Sequence, residues 1–190
     1  MADAGRVIAG TARGIRLEAP GEITRPLGDR VKQTLFAILE PVLVGANVLD
    51  LFAGSGAAGI EALSRGAAHA TFVERDKGAA AVIATNLGRT HLAGSRARII
   101  RGEALAWLTG PEAAAAGPFD VVVVDPPYAE TALLAAALEA LGPHLTASAR
   151  VVAKHPWRDP PPGRVGLLAS ERERRFGETT LTFYRRAEDR

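Results

Sequence analysis

The sequence contains no cysteine. This absence excludes disulfide bonds, thiolate metal sites and cysteine nucleophiles, and it agrees with a reducing cytoplasmic location. Long apolar runs are also missing. Glu139 interrupts the 133–141 stretch, and no run approaches the ~20 residues of a membrane span. The first residues do not lead from a basic segment into an apolar one, so we expect neither a signal peptide nor a membrane anchor.

Net charge is also small, but basic residues are concentrated toward both ends. The formal net charge is +2. Residues 1–34 carry six Lys/Arg and four acids, residues 35–149 carry seven and eleven, and residues 150–190 carry ten and six. This distribution is compatible with an enzyme that binds a polyanion. Arginines on solvated faces explain it equally well.

Apolar, β-branched runs alternate with helical patterns along the chain. Strands are predicted at 47–52, 70–74, 96–101, 119–124 and 150–153. Helices are predicted at 29–40, 77–89 and 130–141, and a further helix opens within the stretch 53–59 and continues to about residue 65. Segments 165–169 and 179–184 are predicted to form an antiparallel hairpin around a charged loop at 171–177, and 154–162 a stiff connector. The pattern predicts an α/β fold with a doubly wound, Rossmann-like sheet of seven strands.

Residues 6–17 predict a small hairpin ahead of this sheet, because glycines at 10 and 14 bracket a turn. We therefore expect an N-terminal extension over 1–24 and one domain over 25–190. The arginines of the hairpin either contact RNA or protect an ordinary sheet edge. Arg30 and Lys32 stand at a helix start, where cations are unfavourable, and this also indicates either a function or solvated side chains.

A glycine-rich turn follows the strand at 47–52. Its glycines, at 54, 56 and 59, have the G-x-G-x-x-G spacing, which permits a tight turn beside the unpaired N–H groups of a helix start. Asp50 precedes the first glycine by four residues. Its carboxylate would repel a pyrophosphate and attract an ammonium or a sulfonium. The alternative is a structural turn in which Asp50 caps the helix.

Acidic residues also end three further strands. Glu74 stands twenty residues after Gly54, a position that suits hydrogen bonds to a ribose diol. Glu103 either accepts from an adenine amino group or lies beside a helix N-cap. Asp125-Pro126-Pro127-Tyr128 places a carboxylate, a rigid turn with free carbonyl groups and a flat ring together. Such a group suits a planar molecule with an amino substituent, such as a nucleobase.

The Asp-x-Phe-x-Gly-x-Gly loop, the later glutamate and Asp-Pro-Pro-Tyr resemble class I S-adenosylmethionine methyltransferases that modify exocyclic amines. Nearly the whole chain resembles the bacterial small-subunit ribosomal RNA guanine-N2 methyltransferases. The stretches that carry this resemblance are 25–36, 49–67, 125–128 and 176–179. Lys154 is a departure, since the family often has a glutamate before the histidine at the end of the fifth strand.

The resemblance implies S-adenosylmethionine as cofactor and a role for each motif. The implied cofactor contacts are Asp50, Phe52, Gly54, Ser55, Gly56, Glu74, Arg75, Glu103, Ala104 and Asp125. The implied catalytic residues are Asp125, Pro126, Pro127 and Tyr128, of which the first two accept hydrogen bonds from the target amine and Tyr128 stacks on the base. The candidate RNA contacts are Arg6, Arg13, Arg16, Arg25, Arg30, Lys32, Arg174 and Arg175. No metal is required.

Three other functions remain compatible with the residues. The first is an NAD(P)-dependent oxidoreductase, supported by the glycine spacing and Glu74. The second is a non-catalytic RNA-binding assembly module, supported by the basic ends. The third is an adenine or cytosine amino methyltransferase that acts on DNA or another RNA. We expect a monomer whose partner is ribosomal RNA, free or within a small-subunit particle.

Overall fold

The computed structural model describes residues 3–21, 27–128 and 130–187. These residues form the strands β1 (Asp3–Arg6), β2 (Arg16–Glu18), β3 (Asn47–Leu51), β4 (His69–Glu74), β5 (Ala97–Arg101), β6 (Phe119–Val124), β7 (Leu145–Pro156), β8 (Arg164–Val165), β9 (Leu168–Phe176) and β10 (Thr179–Arg186). The α-helices are α1 (Asp29–Leu39), α2 (Ala57–Ser64), α3 (Lys77–Arg89), α4 (Ala104–Leu108), α5 (Pro111–Ala116) and α6 (Thr131–Leu141). None of the described helices is long and apolar enough to cross a membrane.

One sheet of eight strands forms the centre of the molecule, in the order β5-β4-β3-β6-β7-β10-β9-β8. The strands from β5 to β7 are parallel, and β10, β9 and β8 each run antiparallel to the preceding strand in this order. The chain proceeds outward from β3 to β5 and then returns to place β6 on the other side of β3. The sheet is therefore doubly wound, as predicted, and the short edge strand β8 makes eight strands where seven were expected.

Two cores cover the two faces of this sheet. Alternate residues of a strand face opposite sides, so Val121 and Val123 of β6 pack with α1–α3, while Val122 and Val124 pack with α4–α6. All four side chains are buried. Full burial of one such side chain contributes roughly 1.5–3 kcal/mol. The apolar run at 119–124 thus forms the rigid frame from which the following loop projects.

Gly59 allows helix α2 to pack directly against the sheet. A Cβ atom at this position would lie 2.3 Å from Cε1 of Phe72 in β4, which is too short for any side chain. All eight residues of α2 are buried. The third glycine of the predicted loop motif therefore serves helix–sheet packing.

The predicted N-terminal hairpin is present, and its loop lies on α2. Glu61 Oε2 accepts a hydrogen bond from the Ile8 N–H (2.7 Å), and Oε1 accepts one from the Ala9 N–H (3.0 Å). Gly10 has φ +83°, and a Cβ there would lie 1.8 Å from the Ser64 carbonyl oxygen. The hairpin is thus joined to the helix that follows the glycine loop.

The expectation of a charged loop at 171–177 is wrong. These residues belong mainly to β9, which pairs with β10 through the two-residue turn Gly177–Glu178. Gly177 has φ +60°, as at the first central residue of a type II′ hairpin turn. Most β9 side chains are exposed, and charged residues are tolerated on such a strand near a sheet edge. The many charged residues of 171–177 are typical of a loop, and for this reason the sequence did not predict the strand.

The boundary of the fifth predicted strand is also wrong. Strand β7 continues through 154–156, which were expected to begin a surface connector. Lys154 and His155 are both buried. The His155 Nδ1 atom lies 2.8 Å from the Pro156 carbonyl oxygen, and Nε2 lies 2.8 Å from Thr182 Oγ1. Because these polar side chains find partners inside the structure, the strand can extend beyond its apolar residues.

Candidate active site

A cavity of about 800 Å³ opens at the carboxyl ends of the parallel strands. It lies where the strand order reverses, between β3 and β6, and open α/β sheets bind ligands at such positions. Asp50 in β3, Glu74 at the end of β4 and Asp125 after β6 all line it. Because β3 lies between β4 and β6, the topology brings these three carboxylates together from distant parts of the chain.

Nearly all of the predicted site residues meet in this cavity. The predicted cofactor residues that line it are Asp50, Phe52, Gly54, Ser55, Glu74, Arg75, Glu103, Ala104 and Asp125. Pro126, Pro127 and Tyr128 line it as well. Gly56 lies behind the wall, where a Cβ would be 3.1 Å from the Ile83 side chain. The individual roles of these residues remain predictions.

The glycine loop bends sharply at three positions. Phe52, Gly54 and Gly56 have φ angles of +67°, +56° and +76°. This left-handed backbone is available to glycine without cost, whereas it is strained at a phenylalanine. The loop is also fixed from the side, because the Gly54 N–H donates to Glu74 Oε2 over 2.8 Å. The ends of β3 and β4 are thereby joined at the cavity.

Asp50 is a buried acid with one surface toward the cavity. Its Oδ2 atom accepts a hydrogen bond from the Gly59 N–H (2.9 Å), and the residue is 2% exposed. Burial, together with the smaller effects of the nearby Asp125 and Glu74 carboxylates, raises the pKa of Asp50 to about 7 against the opposing effect of the Gly59 hydrogen bond. A cationic ligand beside Asp50 would favour the ionised form.

Glu74 already holds two backbone groups. In addition to Gly54, the Asp76 N–H donates to its Oε1 atom over 2.8 Å. Each carboxylate oxygen can accept more than one hydrogen bond. Glu74 can therefore fix the loop and still accept from a diol in the cavity.

The cavity rim at the end of β5 is more exposed. Glu103 lies there, and its carboxylate is 3.9 Å from the Arg75 guanidinium. Arg75 also donates to Glu130 over 3.1 Å, which joins the rim to the start of α6. This exposed rim differs from the enclosed wall at Asp50 and suits a ligand part that contacts both protein and water.

The Asp125–Tyr128 turn is held at both ends. The Asp125 N–H donates to the Leu51 carbonyl over 3.3 Å, which continues the pairing of β6 with β3. The Tyr128 hydroxyl hydrogen-bonds to Thr179 at the start of β10. The ring therefore lies between the parallel sheet and the antiparallel hairpin, with the acid of the turn toward the cavity.

Lys154 contacts this turn, although the sequence interpretation placed it in a surface connector. Its ammonium lies 2.8 and 2.9 Å from the two carboxylate oxygens of Asp125. The contact follows from the register of β6 with β7. Val124 pairs with Ala153 in parallel register, so the next residues of the two strands stand side by side. Predicting the pair would have required both the end of β7 and its register with β6.

Ala19, Pro20 and Leu27, from the segment that follows the hairpin, also line the cavity. Asn86 of α3 fixes this segment: its Oδ1 accepts from the Glu18 N–H (2.8 Å), and its Nδ2 donates to the carbonyls of Glu18 and Ser55 (both 2.9 Å). Sequence reasoning missed Asn86. A lone asparagine on the apolar face of a predicted helix was the available signal.

The candidate RNA contacts have different outcomes. The exposed ones are Arg6, Arg13, Arg16, Arg30, Arg174 and Arg175. Arg25 lies outside the described residues. The prediction for Lys32 is wrong, because its side chain is fully buried and its ammonium donates to the Arg6 carbonyl. The misplaced cation near the helix start is therefore structural: it joins α1 to the hairpin.

The chemistry of the cavity fits S-adenosylmethionine better than a dinucleotide. Three carboxylates around the glycine loop attract a cationic amino acid moiety and repel a pyrophosphate. In the part of the chain that the structure describes, no group of three or more His, Asp or Glu side chains is placed to hold a metal ion. The residues that would hold the cofactor are those of the glycine loop and the ends of β3, β4 and β5.

Comparison with known proteins agrees with this geometry. A family model described as conserved hypothetical protein 95 matches residues 5–185. The chain is 37% identical over 184 residues to YlbH of Bacillus subtilis, provisionally named an rRNA methyltransferase, and the match covers 95% of this chain and 98% of YlbH. It is 44% identical over 124 residues to ribosomal RNA small subunit methyltransferase D of Escherichia coli K12, covering 65% of this chain and 60% of that enzyme.

A solved structure supports the same relationship. The Escherichia coli protein YhhF, provisionally described as a methyltransferase, superposes with a TM-score of 0.81 at 35% identity, over 97% of this chain and 98% of that one. The resemblance to the bacterial small-subunit ribosomal RNA methyltransferases is thereby confirmed. The chain belongs to the conserved hypothetical protein 95 family and has the fold of the S-adenosylmethionine-dependent methyltransferases.

Proposed function

We propose that the chain transfers a methyl group from S-adenosylmethionine to the exocyclic 2-amino group of a guanine in small-subunit ribosomal RNA. One observation carries this proposal: Asp50, Glu74 and the Asp125–Tyr128 turn line a single cavity at the point where the strand order reverses. The names of the relatives support an RNA substrate, and the resemblance of the motifs supports guanine N2.

The cofactor supplies an electrophilic methyl group on a positively charged sulfur. Asp50 binds the ammonium group of S-adenosylmethionine, since an ionised carboxylate that is buried attracts a cation strongly. Glu74 accepts from the ribose hydroxyls with the lone pairs that Gly54 and Asp76 leave free. Glu103 and the adjoining backbone contact the adenine at the exposed rim.

The protein orients the target amine. Asp125 and the Pro126 carbonyl accept hydrogen bonds from its two N–H groups, which aims the nitrogen lone pair at the methyl group and reduces the delocalisation of that lone pair into the ring. Tyr128, fixed by Thr179, stacks on the base. Positioning and electrostatics then account for most of the catalysis. The base must leave its helix or come from a single-stranded loop to enter the cavity.

Exposed arginines of the hairpin, α1 and β9 are the proposed contacts to the RNA backbone. The free ribosomal RNA and the assembling small-subunit particle both present such a backbone, and either places the reaction in the cytoplasm. Contacts of this type weaken as salt increases, because binding releases counterions from the phosphates. A salt-sensitive KM for RNA with a salt-insensitive affinity for cofactor is therefore expected.

Mass-spectrometric mapping of ribosomal RNA nucleosides tests the proposal directly. A strain that lacks the protein should lose one 2-methylguanosine from its small-subunit RNA. The wild-type gene and an Asp159→Ala control, altered at an exposed loop residue, should restore it. Asp125→Ala should not restore it, although the purified variant should still bind S-adenosylhomocysteine.

Other outcomes of the same map discriminate between the alternatives. If the lost nucleoside is a methylated adenosine or cytidine, the target base is adenine or cytosine and not guanine. An unchanged RNA map would reject the proposed substrate. Tight binding of NADH in place of S-adenosylhomocysteine would reject methyl transfer altogether.

A further inference from the structure

Lys154 and Asp125 form an ion pair in the cavity wall, in which the ammonium contacts both carboxylate oxygens. The Lys154 Nζ atom lies 2.8 Å from Oδ1 and 2.9 Å from Oδ2 of Asp125. The side chains are 8% and 19% exposed. Water therefore screens this pair less than it screens a surface ion pair. A lysine with three donor hydrogens that contacts both oxygens fixes the plane of the carboxylate.

The elements packed around the pair supply few other charges. Asp50 on β3 is the neighbouring acid, and Glu74 on β4 lies beyond it. The Tyr128 ring centroid lies 5.1 Å from the Lys154 ammonium. Across the antiparallel ladder, Lys154 faces Leu181 of β10. Among the described residues, Lys154 is therefore the cation placed to balance the acids at this end of the cavity.

We propose that Lys154 is a positioning residue that keeps the Asp125 carboxylate ionised and turned toward the incoming amine. This inference rests on the proposed function, in which Asp125 accepts a hydrogen bond from the amine. A protonated Asp125 would keep one carbonyl oxygen but would present an O–H donor in place of the second acceptor. The ammonium prevents that state without contacting the reacting atoms itself.

The electrostatic balance at Asp125 supports this role. Burial raises the pKa of Asp125 above its ordinary value, and the charge and hydrogen bonds of Lys154 act against burial. Without the ammonium, the effect of burial on the Asp125 pKa would be unopposed. An opposite charge within 4–6 Å typically lowers a carboxylate pKa by roughly 1–3 units. Loss of the Lys154 charge should raise the Asp125 pKa by a comparable amount.

Replacing Lys154 should therefore shift the acid limb of the pH profile of kcat/KM. Asp125 is competent when ionised, so kcat/KM should rise with pH through the Asp125 pKa and then level off. Replacing Lys154 by an uncharged residue moves this rise to higher pH. If Lys154 were needed only for packing, its replacement would lower kcat/KM by the same factor at every pH and would not shift the acid limb of the pH profile.

Three variants separate charge from packing and hydrogen bonding. Lys154→Met retains the length of the side chain, Lys154→Gln retains a donor without charge, and Lys154→Arg retains the charge. Lys77→Met, at an exposed position of α3, is the matched control for loss of one lysine. Circular dichroism and thermal unfolding identify variants that are not folded, and the remaining neutral variant then carries the test.

The first measurement does not depend on methyl transfer. Carboxyl ¹³C NMR of aspartate-labelled protein, with the Asp125 signal assigned by Asp125→Asn, follows its ionisation directly. The Asp125 pKa should rise by roughly one unit or more in the Met and Gln variants and return toward wild type in the Arg variant. Equal Asp125 titrations in wild type and the neutral variants would overturn the proposal.

The second measurement is the pH dependence of kcat/KM on small-subunit RNA. The acid limb should move with the NMR pKa, while the affinity for S-adenosylhomocysteine changes less than twofold. A uniform loss of activity with no movement of the limb would overturn the positioning role. If wild-type protein methylates no RNA but the NMR shift is present, the proposed function fails and the ion-pair effect stands.

Discussion

Replacing Asp50 by asparagine should stabilise the free protein and weaken its binding of cofactor. The pKa of Asp50 is raised from an ordinary 3.8 to about 7. In the unfolded chain this carboxyl ionises near 3.8, so between pH 4 and 7 the native state binds the extra proton. The stability contributed by the protonated form is therefore fully present below pH 3.8 and is lost as pH rises toward 7.

The size of the effect follows from the same two values. At 1.36 kcal/mol per pKa unit, the ionised Asp50 costs the native state about 4 kcal/mol above pH 7. Asparagine has nearly the same shape and can still accept from the Gly59 N–H. The Asp50→Asn protein should thus be more stable than wild type by up to about 4 kcal/mol at pH 8, and by much less at pH 4.

Urea unfolding, monitored by tryptophan fluorescence from pH 4.5 to 8, measures this difference. Asp159→Asn, at an exposed loop position, controls for loss of one negative charge. Calorimetric titration with S-adenosylhomocysteine at pH 8 should show weaker binding to Asp50→Asn, since the cofactor ammonium loses its partner. If the difference in free energy of unfolding between Asp50→Asn and wild type does not change with pH, Asp50 does not titrate with a raised pKa in the native protein.

Two further predictions concern packing and the target base. Gly59→Ala should lower the free energy of unfolding by roughly 1–3 kcal/mol, because its Cβ would meet the Phe72 ring. In the control Gly88→Ala in α3, the new Cβ meets no atom within 4 Å, and the free energy of unfolding should rise by up to about 1 kcal/mol. Equal effects of the two substitutions in denaturant titrations would contradict this account. Tyr128→Ala should reduce kcat/KM for RNA, because it removes base stacking worth roughly 1–3 kcal/mol. Tyr128→Phe keeps the ring and should reduce kcat/KM by less. Equal losses in both variants would assign the effect to the hydrogen bond with Thr179 instead.

The regular part of the fold was predictable because its signals are local. The bounds of α3 and β6 agree with the sequence prediction, since periodicity and β-branched runs mark them clearly. The carboxylate cavity was also predictable, because parallel strands present their carboxyl ends at one edge of a sheet. Acids at strand ends, once the strands are located, must then lie near one another.

The remainder depended on contacts between distant segments. Strand β9 carries a charge pattern typical of a loop, and only its pairing with β10 makes it a strand. Lys32 looked like a free cation because its partner, the Arg6 carbonyl, lies on another element. Lys154 became part of the site only through the register of β7 with β6. Sequence patterns of one segment do not contain such information.

The complete burial of α2 limits how the N-terminal hairpin could be exchanged between relatives. With all eight residues covered, the helix has no face that tolerates a change independently of its neighbours. Glu61 and Ser64 both bind the hairpin loop through its backbone, so a foreign hairpin must reproduce the same path of main chain. Chimeras that join the hairpin of one relative to the body of another should therefore fold only when the foreign loop follows this main-chain path over α2.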